Sequence, residues 1–182
     1  MTKEYQANPK RKYTLAWFPG AKDSLWSQEM DKAFLNTIDR NKFEILHGGF
    51  AELTAEKQRE LLEKAAFKTV PDIMVGNAVF ASLMARKMTA NPHFRPKIYS
   101  SYYTNQIEEY IRNSSILATP TNFPVHQAII AVDLAIRVLE KRPYPYEVGP
   151  KVQIITPKNL DEFKNKLLTH PLSHRHYLKG SF

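Results

Sequence analysis

The sequence predicts an α/β protein built as a doubly wound parallel sheet with helices on both faces, a three-layer sandwich. Short apolar runs alternate with longer amphipathic segments along most of the chain, the pattern of strand–helix units whose strands run parallel. The helical segments open on capping residues or proline, as where "PDIMVG" passes into "NAVFASLMARKM" and Asn77 is placed to accept from free amides of the first turn. The chain has 182 residues, 43% of them hydrophobic, which is enough for one well-buried domain.

Taken in order, "YTLAWF" (13–18) reads as a strand. "SLWSQEMDKAFLNTI" (24–38) follows with Leu25, Met30, Phe34, Leu35 and Ile38 at helical spacing. "FEILHGG" (43–49) is a second strand, and "TAEKQRELLEKAAF" is a helix of strong formers starting at Thr54. "PDIMVG" (71–76) is a third strand, leading into a helix over 77–88. "PKIYSSYY" (96–103) is a fourth, followed by the helix "NQIEEYIR". "SILATPT" (115–121) is a fifth, followed by "PVHQAIIAVDLAIRVLEK", with Pro124 suited to a helix start. A proline-rich connector, "RPYPYEVGP", leads to the strand "KVQIIT" and a last helix from about Asn159, and the tail shows little periodicity.

The helix over 124–141 does not suit a self-contained domain. Apolar residues at 125, 128–132, 134–136, 138 and 139 cover nearly its whole circumference, which implies burial on more than one side. The expected organisation is a basic extension (1–12), a ligand-binding α/β lobe (13–123 and 148–168), a crossing helix and connector (124–147), and a tail (169–182). A homodimer through 124–141 is expected if nothing else covers that helix.

The net charge of +8 sits at the chain ends: residues 1–12 carry +3, residues 150–182 carry +4, and the stretch between carries +1. Nucleic-acid binders concentrate basic residues on one face or helix, so no nucleic-acid partner is expected. With no cysteine, thiol nucleophiles, thiolate metal sites and disulfides are excluded. The first residues contain no apolar signal-peptide core and no run approaches membrane-spanning length.

No convincing catalytic set is present. There is no Walker loop, no G-x-G-x-x-G after a strand and no G-x-S-x-G elbow. His170, His174 and His176 are close in sequence but lie in a basic tail, where solvated histidines are the simpler account. His47 and His126 read as structural. The chain is therefore expected to be no enzyme and to hold no cofactor or metal.

In a doubly wound sheet the C-terminal strand ends converge on one edge, where ligands bind. Here they supply Phe18-Pro19-Gly20 with Trp26 nearby, Gly76-Asn77, Ser100 to Tyr103, and Thr119 to Asn122. Small polar groups mixed with aromatic rings suit a small-molecule pocket. The candidate ligand contacts are Tyr102, Trp26, Asn77, Asn122 and Ser100. Core packing for Trp26 and plain capping for Asn77 and Asn122 are the competing readings, and alternation should send one of Tyr102 and Tyr103 inward.

"FPGAKDSLWSQEMDKAF", "PDIMVGNAVFAS", the run from "IYSSYYTNQ" to "AIRVLE", and "VQIITPKNLDEF" resemble the C-terminal half of the TorT-like periplasmic trimethylamine N-oxide-binding proteins, within the type 1 periplasmic binding protein fold. The resemblance implies two α/β lobes joined by crossing segments, a small ligand trapped between them, and a periplasmic location. It also implies a TorS-like membrane sensor histidine kinase as partner. Helix 124–141 would then pack on an N-terminal lobe. That lobe and a signal peptide are not seen in this sequence, which gives the expectation of a truncated or split product that binds ligand poorly alone. Tyr102 matches the family's aromatic after the fourth strand. A sugar- or autoinducer-binding protein of the same fold is one rival reading. A small α/β nucleotide-binding or enzyme domain is the other.

Overall fold

A computed structural model describes residues 11–52, 54–65 and 69–163. The strands are β1 (Tyr13–Phe18), β2 (Gly20–Ala21), β3 (Phe43–His47), β4 (Phe50–Ala51), β5 (Ile73–Gly76), β6 (Lys97–Ser100), β7 (Thr119–Pro120) and β8 (Ile154–Ile155). The helices are α1 (Leu25–Thr37), α2 (Ala55–Lys64), α3 (Ala78–Ala90), α4 (Asn105–Arg112) and α5 (Pro124–Leu139), with a 3-10 turn at Leu160–Phe163. The main sheet runs β3-β1-β5-β6, all parallel. It places the first strand between the second and third, the doubly wound order whose switch point lies beside β1 and β5.

Alternation along β1 divides the core. Trp17 stacks on Phe34 of α1 with ring centroids 4.4 Å apart, whereas its neighbour Phe18 meets Phe80 of α3 at 4.7 Å. The two faces of the sheet are thus covered by different helices, as a three-layer sandwich requires. The α3 side is the drier one: Ala16, Phe18, Met74, Ile98, Phe80, Ala81, Met84, Ala85, Ile107 and Ile111 are fully buried there.

The helix starts follow the sequence closely. Ser24, Thr54, Asn77 and Thr104 each accept from a backbone amide three residues on, satisfying donors that a helix leaves unpaired. "TPKN" closes the chain in a comparable way. Asn159 Oδ1 accepts from Thr156 N and Oγ1, and its Nδ2 donates to the Ile154 carbonyl.

Three expectations are corrected. The fifth strand is not a full strand: Leu117 N donates to Ile98 O and Ser100 N to Ala118 O, giving an isolated parallel bridge beside β6. The chain then turns away at Thr119–Pro120 to pair antiparallel with β8, and Pro120 has no N–H to extend a ladder. The run "KVQIIT" contributes only Ile154–Ile155 to a strand. The segment after Asn159 begins as a 3-10 turn; the rest of that expected helix, residues 1–10 and the tail lie outside the described residues. On α5, Val125 is the one buried residue, so this lobe covers even less of the helix than one face.

At the amino end of the strands, Asp72 fastens β5 to β1. Thr14 N and Oγ1 donate to its carboxylate, Arg11 grips both oxygens, and the Asp72 amide donates back to Thr14 Oγ1. Burial works against the charged form, but the hydrogen bonds from Thr14 and Arg11 outweigh it and hold the carboxyl below its ordinary value. A depressed folded pKa gives stability that is present above the unfolded value of about 3.9 and is lost as pH falls through the folded one. Asp72→Asn is therefore expected to cost about 1 kcal/mol at neutral pH, given the partly exposed site, and to flatten the acid limb of stability. Urea midpoints measured across the acid range check this; an acid limb unchanged by the substitution would dissociate Asp72 from it.

Candidate functional site

The strand register brings the candidate residues to one level. Phe18 pairs with Gly76 and Gly76 with Ser100, and Ser101 N donates to the Gly76 carbonyl at 2.8 Å. The C-terminal ends of β1, β5 and β6 therefore finish in line, and the turns that follow form one rim.

Trp26 and Tyr102 meet on this rim. Trp26 stands in the first turn of α1, 47% exposed, so core packing does not account for it. Its ring meets Tyr102 edge to face, with centroids 5.6 Å apart and planes at 85°, a favourable arrangement of ring quadrupoles. Burial raises the Tyr102 hydroxyl above its ordinary value, so it remains a donor through the neutral range. Tyr103 goes the other way: it is 3% exposed and its hydroxyl donates to Glu108, which Arg112 also holds. Burial, reinforced by that carboxylate, pushes the Tyr103 phenol far above its ordinary value.

Ser100 is buried, and its Oγ donates to the Tyr102 carbonyl at 2.7 Å. That hydrogen bond ties it to the backbone that carries Tyr102. Asn77 is likewise committed: Oδ1 accepts from Phe80 N at 3.0 Å, and a Cβ on Gly20 would fall 2.7 Å from its Nδ2. Gly20 itself has φ +122, a conformation L side chains rarely adopt. The Gly-Asn hinge is thus a helix cap packed against the β1 turn, with its acceptor in use.

Asn122 and Ser101 differ from these. Asn122 Oδ1 and Ser101 Oγ are buried without a hydrogen-bond partner among the described residues. Buried polar atoms normally find a partner, so each of these two groups keeps unused hydrogen-bonding capacity at a strand end. Ser101 was the residue that sequence reasoning grouped with the strand end but passed over as a contact. Its neighbour Ser100 has the same chemistry, and only the backbone turn decides which hydroxyl is used. Among the described residues no group of three or more His, Asp or Glu is placed to hold a metal, and no helix is long and apolar enough to cross a membrane. The three clustered histidines lie outside the described residues.

A parallel sheet of this order, with an aromatic and polar rim at its carboxyl edge, has the fold of one α/β lobe of a type 1 periplasmic binding protein. No protein-family model matches the chain. It is similar to the periplasmic protein TorT of Escherichia coli K12, with 26% identity over 144 residues, 79% of this chain and 42% of TorT. An ABC transporter solute-binding protein from Bradyrhizobium sp. BTAi1 with bound bis-tris superposes with a TM-score of 0.71 at 26% identity, over 83% of this chain and 46% of that one. TorT in complex with the TorS sensor domain in the presence of trimethylamine N-oxide gives a TM-score of 0.70 at 22% identity, over 84% of this chain and 51% of that one. The chain thus spans less than half the length of the curated relatives it matches.

Proposed function

We propose that the chain is the ligand-binding lobe of a periplasmic solute-binding protein. Its ligand is a small methylated amine of the trimethylamine N-oxide type, and the whole protein signals through a TorS-like membrane sensor kinase. The edge-to-face pair of Trp26 and Tyr102 carries this reading. Methyl groups around a positive nitrogen suit aromatic faces by cation–π attraction, and a negatively polarised oxygen needs O–H donors such as Tyr102 and Ser101. The strand-end stretches 18–20, 76–77, 100–103 and 119–122 contain no carboxylate, whereas a sugar site ordinarily uses acceptors for several hydroxyls. The chemistry is binding without catalysis. Signalling follows from differential contacts that favour a closed form over an open one.

Two tryptophans make the test direct. Trp17 is 1% exposed and bonded to Asp31, while Trp26 stands on the rim. Trimethylamine N-oxide is expected to change Trp26 emission with a dissociation constant weaker than about 1 mM in this chain, and Trp26→Phe should abolish the response. D-Arabinose should leave the emission unchanged. A response to the sugar and none to the amine oxide would overturn the ligand assignment. With a complementary lobe present, Tyr102→Ala should weaken binding by roughly 1–2 kcal/mol in a calorimetric titration.

A further inference from the structure

Tyr102 and Tyr103 are adjacent in the turn that joins β6 to α4, yet they meet opposite surroundings. Tyr102 carries its ring to Trp26, with centroids 5.6 Å apart. Tyr103 turns into the core cluster that contains Ile107 and Ile111 of α4. On its strand side the turn is fastened by two hydrogen bonds. Ser101 N donates to the Gly76 carbonyl at 2.8 Å, and Ser100 Oγ donates to the Tyr102 carbonyl at 2.7 Å. On its helix side the Tyr103 hydroxyl donates to Glu108 Oε2, in the first turn of α4. Glu108 is itself held. Its other oxygen accepts from Arg112 at 2.9 Å, and Arg112 donates in turn to Asp161 of the 3-10 turn at 3.1 Å. A core side chain is thus hooked to an anchored carboxylate, and its neighbour in the chain is the ring that meets Trp26.

We propose that Glu108 is a positioning residue for the ligand rim: acting through Tyr103, it sets the orientation in which Tyr102 is presented to Trp26 and to a bound amine. The part that concerns the amine rests on the function proposed above; the placement of the ring does not. A side chain in a turn moves whenever the backbone on either side of it rotates, and an irregular turn has several such rotations to lose. Here the residue after Tyr102 cannot rotate without withdrawing a buried phenol from its acceptor. A buried donor left unpaired costs its full desolvation. Packing alone would be served by a phenylalanine in this place. The hydroxyl adds direction, because a hydrogen bond weakens steeply as its angle departs from linear. A carboxylate acceptor makes that bond stronger than a neutral one. Ligand contacts work when the side chains behind them lock their geometry, and Glu108 stands behind Tyr102 in this sense.

Fluorotryptophan incorporated into the chain gives separate fluorine NMR signals for Trp17 and Trp26, and Trp26→Phe assigns them. Tyr102→Ala sets the displacement of the Trp26 signal that follows loss of the neighbouring ring. Tyr103→Phe and Glu108→Ala should each move the Trp26 signal towards that position, leaving the Trp17 signal and the circular dichroism unchanged. Glu108→Gln keeps an acceptor for the phenol and should restore most of the parent shift. Combining Tyr103→Phe with Glu108→Ala should add nothing, as for the two ends of one interaction. In a titration with trimethylamine N-oxide the same two variants should weaken binding about threefold or more. A Trp26 signal unmoved in Tyr103→Phe overturns the proposal, and that variant decides alone if Glu108→Ala does not fold. So does a Trp26 signal that moves only together with that of Trp17, since general loosening then accounts for both. A parent chain that gives no response to trimethylamine N-oxide removes the proposed ligand, whereas the ligand-free Trp26 shifts still decide the positioning, so the two readings fail separately.

Discussion

Gly76→Ala is expected to destabilise the protein by about 2–3 kcal/mol, the cost of overpacking a close-packed core. Gly76 ends β5 where the chain enters α3. A Cβ there would lie 2.7 Å from the Phe80 Cβ, 3.3 Å from Met84 Cε and 3.4 Å from the Phe18 Cβ. The first of these belongs to the stem of a side chain in the first turn of α3 and cannot swing away. Relief requires α3 to shift off the sheet, and α3 carries Phe80, Ala81, Met84 and Ala85 in the driest part of the core. Gly149 supplies the control, because nothing lies within 4 Å of a Cβ there. Gly149→Ala should change stability by no more than about 0.5 kcal/mol. Urea unfolding of the two variants at one temperature measures both. A cost below 1 kcal/mol for Gly76→Ala would mean that the β5–α3 junction yields more easily than its contacts indicate.

Asp31→Ala is expected to cost about 2–3 kcal/mol. Its Oδ1 accepts from Trp17 Nε1 at 2.7 Å and from His47 Nε2 at 2.8 Å, joining α1 to the ends of β1 and β3. Gly49 N donates to His47 Nδ1 at 3.0 Å, so the imidazole proton sits on Nε2 and points at Asp31. Removing the carboxylate leaves the indole N–H of a fully buried tryptophan without an acceptor, and such a donor costs its full desolvation. Asp31→Asn retains an acceptor oxygen and should lose no more than about half as much. Chemical denaturation followed by Trp17 fluorescence in a Trp26→Phe background reports the change at the site itself. Equal costs for Ala and Asn would show that charge, and not the acceptor, is what Trp17 and His47 require.

The level of organisation at which each feature becomes legible follows from the range of the forces behind it. Local preferences sufficed for the strand–helix alternation, and for caps at Thr54 and Asn77 whose side chains reach amides three residues away. The same local reading overextended the fifth strand, because pairing beyond Ala118 depends on a partner across the sheet, and Thr119–Pro120 found β8 instead.

The site divides along the same line. Composition at the strand ends marked out the rim, since any parallel sheet of this order directs those ends to one edge. Which residues on the rim remain available was a tertiary outcome. Ser100 and Asn77 are committed to hydrogen bonds within the lobe, whereas Ser101 and Asn122 keep buried oxygens without partners among the described residues. Residue type and spacing are identical for the two serines; the turn after β6 separates them. The apolar circumference of α5 was likewise evident in the chain, because periodicity is a property of one helix. Its exposure belongs to the structure, since burial is decided by what the rest of the molecule brings against it, and here that is little beyond Val125.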